Sequence, residues 1–401
     1  MNPSRRASRL IFVKALVPLL FGLGHLSMAN AFSEPQGEAR SDTDKFGNSI
    51  SDNRTSVNRH WSLSLEAIAL KRSNNSVNQS LINTVPAGTH YFETSSPVNS
   101  SELFNSNQFD YGFQVGPKIT VNYRDDSGYG LEVSYFNVLN MNASNTVGPN
   151  DNWLTMYAPG STPSFWQTQD YPYQGMKWSS TTNLYSAEAN TKTKIGSNLR
   201  LSAGVRWIQL NDSLTGAVTP SDQSLPNWKT IPACGYNPTF SDLQNCSPGP
   251  IAKDEASNFS NYWTTSTTNN LFGLQVGGEG DVLNMGKLSL GGSLKAGVYD
   301  NRSTQSNWVS MAKQWYSASA TRNRAAYVGD AQVQLKYRLP AGVAFKIGYQ
   351  LLWLNQVALA PGQISHTYSV GGANPSLAAT GVNTGSSIIF QGGTIGIEYS
   401  F

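Results

Sequence analysis

The stretch Ile388-Ile389-Phe390-Gln391-Gly392-Gly393-Thr394-Ile395-Gly396-Ile397-Glu398-Tyr399-Ser400-Phe401 turns, from Thr394 onward, into strict alternation of apolar and small or polar residues. A period of two describes a strand with two unlike faces, with Ile395, Ile397, Tyr399 and Phe401 on one and Thr394, Gly396, Glu398 and Ser400 on the other. Whether the apolar row meets a protein core or lipid decides the fold, and the rest of the chain has to supply the answer.

Composition favours strands and turns. Only 13% of the 401 residues are charged, 11% are aromatic and 36 are Gly, with a mean hydropathy of −0.34. Such a chain is neither a charged disordered polymer nor a Leu/Ala-rich helical protein. At the N-terminus Arg5, Arg6, Arg9 and Lys14 flank the apolar run Ala15 to Leu23, and Ala29-Asn30-Ala31 offers a small-x-small cleavage site. Residues 1–31 therefore read as a secretory signal peptide. Loss of those four cations turns the formal charge of +3 into −1, so the basic balance belongs to the leader and implies no nucleic acid partner. Residues 32–60 are polar, mixed in charge and without period, and read as a periplasmic tail.

After Ala31 no run of 18 apolar residues occurs, which leaves a closed β-barrel as the one way for the exported chain to span a membrane. Ten alternating segments are predicted as strands: 62–72, 109–123, 128–139, 180–194, 198–211, 263–279, 286–300, 324–338, 342–356 and 387–401. Between them, short turns at 124–128, 195–198, 280–285 and 339–342 alternate with long connections beginning near Ser73, Asn140, Asp212, Asn301 and Val357. That order predicts an all-β, up-and-down antiparallel transmembrane barrel of about ten strands over residues 61–401, with short periplasmic turns and long external loops. In segment 342–356, Val343, Phe345, Ile347, Tyr349, Leu351 and Trp353 oppose Ala344, Lys346, Gly348 and Gln350. The apolar row must face lipid, because a charge at the midplane of a barrel costs about 2–4 kcal/mol. Trp61, Tyr123, Tyr129, Trp207, Tyr337, Trp353 and Tyr399 stand near strand ends, as interfacial girdles require. By the same parity Ile395, Ile397, Tyr399 and Phe401 form the lipid-facing row of the last strand and look like the signal read by the outer-membrane barrel assembly machinery of Gram-negative bacteria.

The segments Trp61-Ser-Leu-Ser-Leu-Glu-Ala67, Leu201-Ser-Ala-Gly-Val-Arg-Trp207, Thr268-Asn-Asn-Leu-Phe-Gly-Leu-Gln-Val-Gly277 and Gly348-Tyr-Gln-Leu-Leu-Trp-Leu-Asn-Gln-Val357, with Pro361-Gly-Gln-Ile364 and Phe390-Gln-Gly-Gly-Thr-Ile-Gly-Ile-Glu398, resemble the beta barrel porin family first described in planctomycetes. The resemblance lies almost wholly in strands. Leu359-Ala360 stand before Pro361-Gly362 where that family more often carries a basic residue. The resemblance implies a porin-like outer-membrane barrel and no catalytic site.

Inward parity assigns to the lumen the cations Lys118, Lys192, Arg200, Arg206, Lys295, Lys336 and Lys346 and the carboxylates Glu66, Glu132, Glu188, Glu279 and Glu398. Buried charges are tolerated when paired or wet. Two arrangements fit, of which the channel is the expected one and the closed barrel the alternative. A basic, water-filled lining would make a narrow passive channel for small hydrophilic solutes or ions that favours anions. A mutual ion-pair network would close the barrel and move function to its surface, as a structural or adhesin-like protein. Eight strands are just filled by side chains, which argues for closure, whereas inward Gly116, Gly204, Gly291, Gly297, Gly348 and Gly396 leave room along the axis. A hydrolase at the external rim is a third class. His60 and the Asp125-Asp126 pair lie at the periplasmic end, and His90 and His366 have no paired carboxylate nearby in sequence, so no enzyme is expected. No nucleotide-binding glycine loop and no zinc spacing is found, so no cofactor or metal is expected. Cys234 and Cys246, separated by eleven residues among Pro232, Pro238, Pro248 and Pro250, are expected to pair as a disulfide in an oxidising compartment, stabilising the loop by about 3 kcal/mol. Expected partners are outer-membrane lipid, the assembly machinery and small solutes or ions. Every lipid-facing strand reads alike, so none stands out as a subunit contact.

Overall fold

The computed structural model describes residues 60–74, 78–85, 101–148, 153–156, 173–195, 198–220, 231–232, 248–249, 262–311, 314–370 and 376–401. Ten antiparallel strands form the wall: β1 (Trp61–Arg72), β2 (Gln114–Arg124), β3 (Tyr129–Val147), β4 (Tyr173–Ile195), β5 (Leu199–Pro220), β6 (Tyr262–Met285), β7 (Leu288–Met311), β8 (Gln314–Arg338), β9 (Val343–Val357) and β10 (Ser386–Ser400). Each pairs with its neighbours in sequence, and β1 pairs with β10 from Ser62↔Ser400 to Arg72↔Phe390, so the sheet is a closed barrel. Closure leaves no edge, and lipid offers no substitute partner for a backbone N–H or C=O. Among the described residues no helix is long and apolar enough to cross a membrane.

All ten expected strands are present, and most are longer than the alternation suggested. β4 to β8 run 22 to 25 residues, against 11 to 15 for β1, β2, β9 and β10. A tilted strand crosses the hydrocarbon with about 9–11 residues, so the long strands continue well beyond it at the loop end. The expected loop at Asn301 is corrected on this account: β7 and β8 pair from Leu288↔Tyr337 to Met311↔Gln314, leaving only residues 312–313 between them. The turn expected at 280–285 is corrected likewise. β6 passes through a bulge at Asp281/Leu283 and reaches Met285, and the hairpin turns at Gly286-Lys287, where Gly286 takes φ 65°. Residues 109–113 precede β2 rather than belonging to it; Phe109 and Tyr111 pack into an apolar cluster at the loop end.

The outer face changes character along a single strand. On β6, Phe272, Leu274 and Val276 are exposed, Leu274 to 71%, and belong to the lipid band. Nearer the loop end the same outward row becomes Asn270, Ser266 and Thr264, which hydrogen-bond laterally to Gln209 (3.1 Å), Ser213 (3.2 Å) and Thr215 (3.2 Å) of β5. The inward row does the reverse: Trp263, with Met176, Trp178 and Leu214, forms a buried apolar core above the membrane. Sheet faces follow the solvent outside them, lipid below and water above. At the turn end Trp61 packs against Tyr123 with ring centroids 4.9 Å apart and Tyr399 stacks on Phe401 at 5.7 Å, while Ile395 and Ile397 continue that outward row. Cys234, Cys246 and His90 lie outside the described residues.

The position of the band edge is testable on one strand face. Leu274→Lys is expected to destabilise the barrel in vesicles by about 2–4 kcal/mol, and Ser266→Lys by no more than about 0.5 kcal/mol, in denaturant titrations followed by loss of the heat-modifiable folded band.

Candidate functional site

Parity places one row of every strand inside the barrel, and what that row carries changes with height. At the turn end lies a cavity of about 400 Å³ whose lining includes His60, Glu66, Lys118, Glu132, Lys192, Arg200, Glu279, Lys336 and Glu398. Along its inner wall the charges lock together. Arg200 meets Glu279 (3.2 Å), Glu279 meets Lys192 (2.6 Å), Lys192 meets Glu132 (2.5 Å), Glu132 meets Lys295 (2.9 Å), Lys295 meets Glu188 (2.6 Å), and Arg206 lies 3.8 Å from Glu188 and 2.9 Å from Asp330. A second group joins Lys346 to Glu66 (2.8 Å) and Glu398 (3.6 Å), with Lys336 on the other Glu398 oxygen. Lys118 joins the first group through the amide oxygens of Gln332 and Gln350, each at 3.2 Å, and both glutamines donate to Asp330.

All twelve charges assigned to the lumen from sequence thus face inward, and each of the ten strands supplies at least one charged member of the network. Contacts such as Glu132–Lys295, from β3 to β7, span the lumen rather than neighbouring strands. Alternating signs offset the desolvation that each charge would suffer alone, and the cost of breaking one link is an uncompensated buried ion. Asp330 was not among the candidates, although it shares the parity of Gln332 and Lys336 and could have been read from it.

One pleat further toward the loop end the interior turns apolar. Ile68, Phe136, Leu184, Ile208, Leu271, Tyr299, Val328, Leu352 and Phe390, among others, form a buried cluster to which every barrel strand but β2 contributes. In β3 a bulge between Val138 and Met141, with Asn140 at φ 58°, shifts the register so that Met141 also points in. The expectation that inward glycines leave axial room is corrected here. A Cβ at Gly116, Gly204 or Gly396 would collide with the carbonyl of Asn137, Ala189 or Leu65, and the side chains of Tyr299 and Thr394 crowd Gly297 and Gly348. These five glycines permit close strand approach, and of the six only Gly291 lines the cavity.

The segment after β9 also enters the barrel at the loop end. Gln356 at φ 62° and the bulge at Asn355/Val357 turn the chain out of the wall. Residues 357–364 then fold inward and are buried throughout. Asn269 on the far wall accepts from the Ala358 N–H (2.7 Å) and donates to the Ala358 carbonyl (2.7 Å), so one amide side chain satisfies both main-chain polar groups of that residue. The Ala360 N–H donates to Asp212 at 2.9 Å. Asp212 also holds Arg72 at 2.6 Å, and both side chains are essentially inaccessible, at 0% and 1%. Arg72 donates to Thr182 as well and lies over the Tyr111 ring, 4.3 Å from its centroid. Sequence reasoning took Asp212 for the start of a loop and did not single out Arg72; the two are 140 residues apart and carry no local signal.

No protein-family model matches the sequence, and no curated protein matches it. Solved structures do resemble the fold. The outer membrane protease OmpT from Escherichia coli matches at 8% identity and TM-score 0.40, covering 85% of this chain and 97% of its own. The translocator domain of the autotransporter NalP from Neisseria meningitidis matches at 9% identity and TM-score 0.33, covering 85% and 89%. The toluene transporter TodX of Pseudomonas putida matches at 8% identity and TM-score 0.29, covering 85% and 89%.

The Arg72–Asp212 pair gives a clean energetic test. Arg72→Met is expected to destabilise the protein by about 3–5 kcal/mol by stranding a buried carboxylate. The double variant Arg72→Met/Asp212→Leu is expected to recover to within about 1–3 kcal/mol of the parent, the remainder reflecting the unpaired Ala360 N–H, as read from urea unfolding in detergent micelles.

Proposed function

We propose that this chain is an outer-membrane barrel closed across its lumen, and that its working surface is the tall polar sheet at the loop end, in a structural or surface-recognition role. The observation that carries the reading is the unbroken stack of ionic and apolar layers. Val357 and Leu359 are the members of the apolar layer within residues 357–364, and the rest is borne by strands, so moving that segment does not empty it. Orientation follows from the connections, with short turns periplasmic and the long strands and loops external. Export by the leader at 1–31 and recognition of the Ile395, Ile397, Tyr399 and Phe401 row by the assembly machinery complete the route. No catalytic step belongs to the reading: His60 has its Nδ1 against the Arg124 carbonyl at 2.9 Å, at the turn end.

A second reading, a narrow channel for small hydrophilic solutes that favours anions, is supported by the turn-end cavity, where lining cations outnumber lining carboxylates, and by the resemblance to the beta barrel porin family. A planar bilayer separates the two. The folded, heat-modifiable protein is expected to give no discrete current steps in a KCl gradient, whereas cell-surface adhesion is expected to fall when the hairpin Asn301–Arg324 is shortened. Steps with a reversal potential selective for chloride would establish the channel instead.

A further inference from the structure

The turn-end cavity is more than the unfilled foot of the barrel. Its inner end is sealed by the ionic layer, and its mouth is framed by residues of the short turns, among them Arg124, Asn198, Asp281 and Arg338. Within it, the carboxylates are already engaged. Glu132, Glu188, Glu279 and Glu398 each hold two cations, and Glu66 holds Lys346 at 2.8 Å through one oxygen, its other oxygen being buried without a hydrogen-bond partner among the described residues. Asp281 makes no ion pair among the described residues and stands exposed at the mouth.

The cations are not all spent. Lys118 is 8% exposed and its ammonium touches only the neutral amide oxygens of Gln332 and Gln350. Arg338 donates to the Gly286 carbonyl at 3.1 Å, and neither it nor Arg124 has a carboxylate within ion-pair distance among the described residues. A cation held by neutral dipoles in a poorly hydrated recess keeps its field, which the walls focus into the cavity. Among the described residues no carboxylate touches Lys118 directly: Glu66, Asp330 and Glu188 act on it at longer range, so a direct contact to its ammonium is left to a ligand, and two guanidiniums at the mouth draw an anion toward the cavity. A volume of about 400 Å³ is many times the roughly 30 Å³ share of one water molecule, which leaves space for a small anion with part of its hydration.

We propose that the cavity is a binding site for a small multivalent oxyanion entering from the turn end, with Lys118 as its direct contact and Arg124 and Arg338 as the mouth cations that attract it inward. The site is independent of whether the barrel conducts, since it requires occupancy and no passage.

Isothermal titration of the folded full-length protein in detergent with inorganic phosphate, at low ionic strength, tests the assignment. Saturable binding is expected, weakening as NaCl is raised. Lys118→Gln is expected to lower affinity by at least about tenfold, the effect of one charge-assisted contact. Arg338→Gln, on a half-buried residue at the mouth whose loss leaves the inner network intact, is expected to weaken binding and flatten its salt dependence. Lys71→Gln, on the outer face, should bind as the parent does. No saturable heat with phosphate, or unchanged affinity in both Lys118→Gln and Arg338→Gln, would overturn the proposal.

Discussion

The ladder between β1 and β10 is the contact on which the other features depend. From Ser62↔Ser400 to Arg72↔Phe390 it joins the two ends of the sheet and removes the last edge, which hydrocarbon would leave unsatisfied at several kcal/mol per backbone group. Once the ring is shut, each strand has one face toward the surroundings and one toward a narrow interior, and the choice of residues on each is no longer free. Ten strands enclose a space only slightly wider than the one eight strands fill with side chains, so the interior has to be packed like a core or paired like a crystal of ions.

Both solutions are present, at different heights. Within the lipid band the outward row is apolar, as with Leu274 and Ile347, and the inward row carries the polar residues the sheet cannot place in lipid. Those charges are tolerable because Glu132, Lys295, Glu188 and Arg206 alternate in sign across the lumen. Above the band the surroundings become aqueous, Ser266 and Thr264 take the outward row, and Trp178, Trp263 and Leu214 make an interior like that of a soluble protein. The inward-folded segment after Val357 needs its peptide groups satisfied in that dry interior, and Asn269, Thr267 and Asp212 satisfy them.

This reversal explains where reading from residues succeeded and where it fell short. All ten strands were legible from period-two alternation, and the inward charges followed from parity alone, because the lipid band enforces both. The upper halves of β4 to β8 were not. In Thr264 to Asn270 and Asn301 to Asn307 both faces are rich in Ser, Thr, Asn and Gln, so hydrophobic contrast vanishes although the backbone continues as strand. Inward Leu271, Leu352 and Phe390 were missed for the related reason that the rule sending apolar residues to lipid holds only where lipid is the outer solvent. Glycines at 116, 204 and 396 read as empty space because nothing in a sequence shows that a neighbouring carbonyl occupies the position of the absent Cβ.

The sequence by itself determined that the chain is a barrel, how many times it crosses and, within the lipid band, which charged residues face in, since each follows from local periodicity and turn chemistry acting on neighbouring residues. Only the tertiary structure decided that the inward charges meet one another, that inward apolar side chains cluster above them, and that Arg72 finds Asp212. Those outcomes depend on the register and radius of a closed ring, which bring together side chains from opposite walls at distances no local pattern encodes.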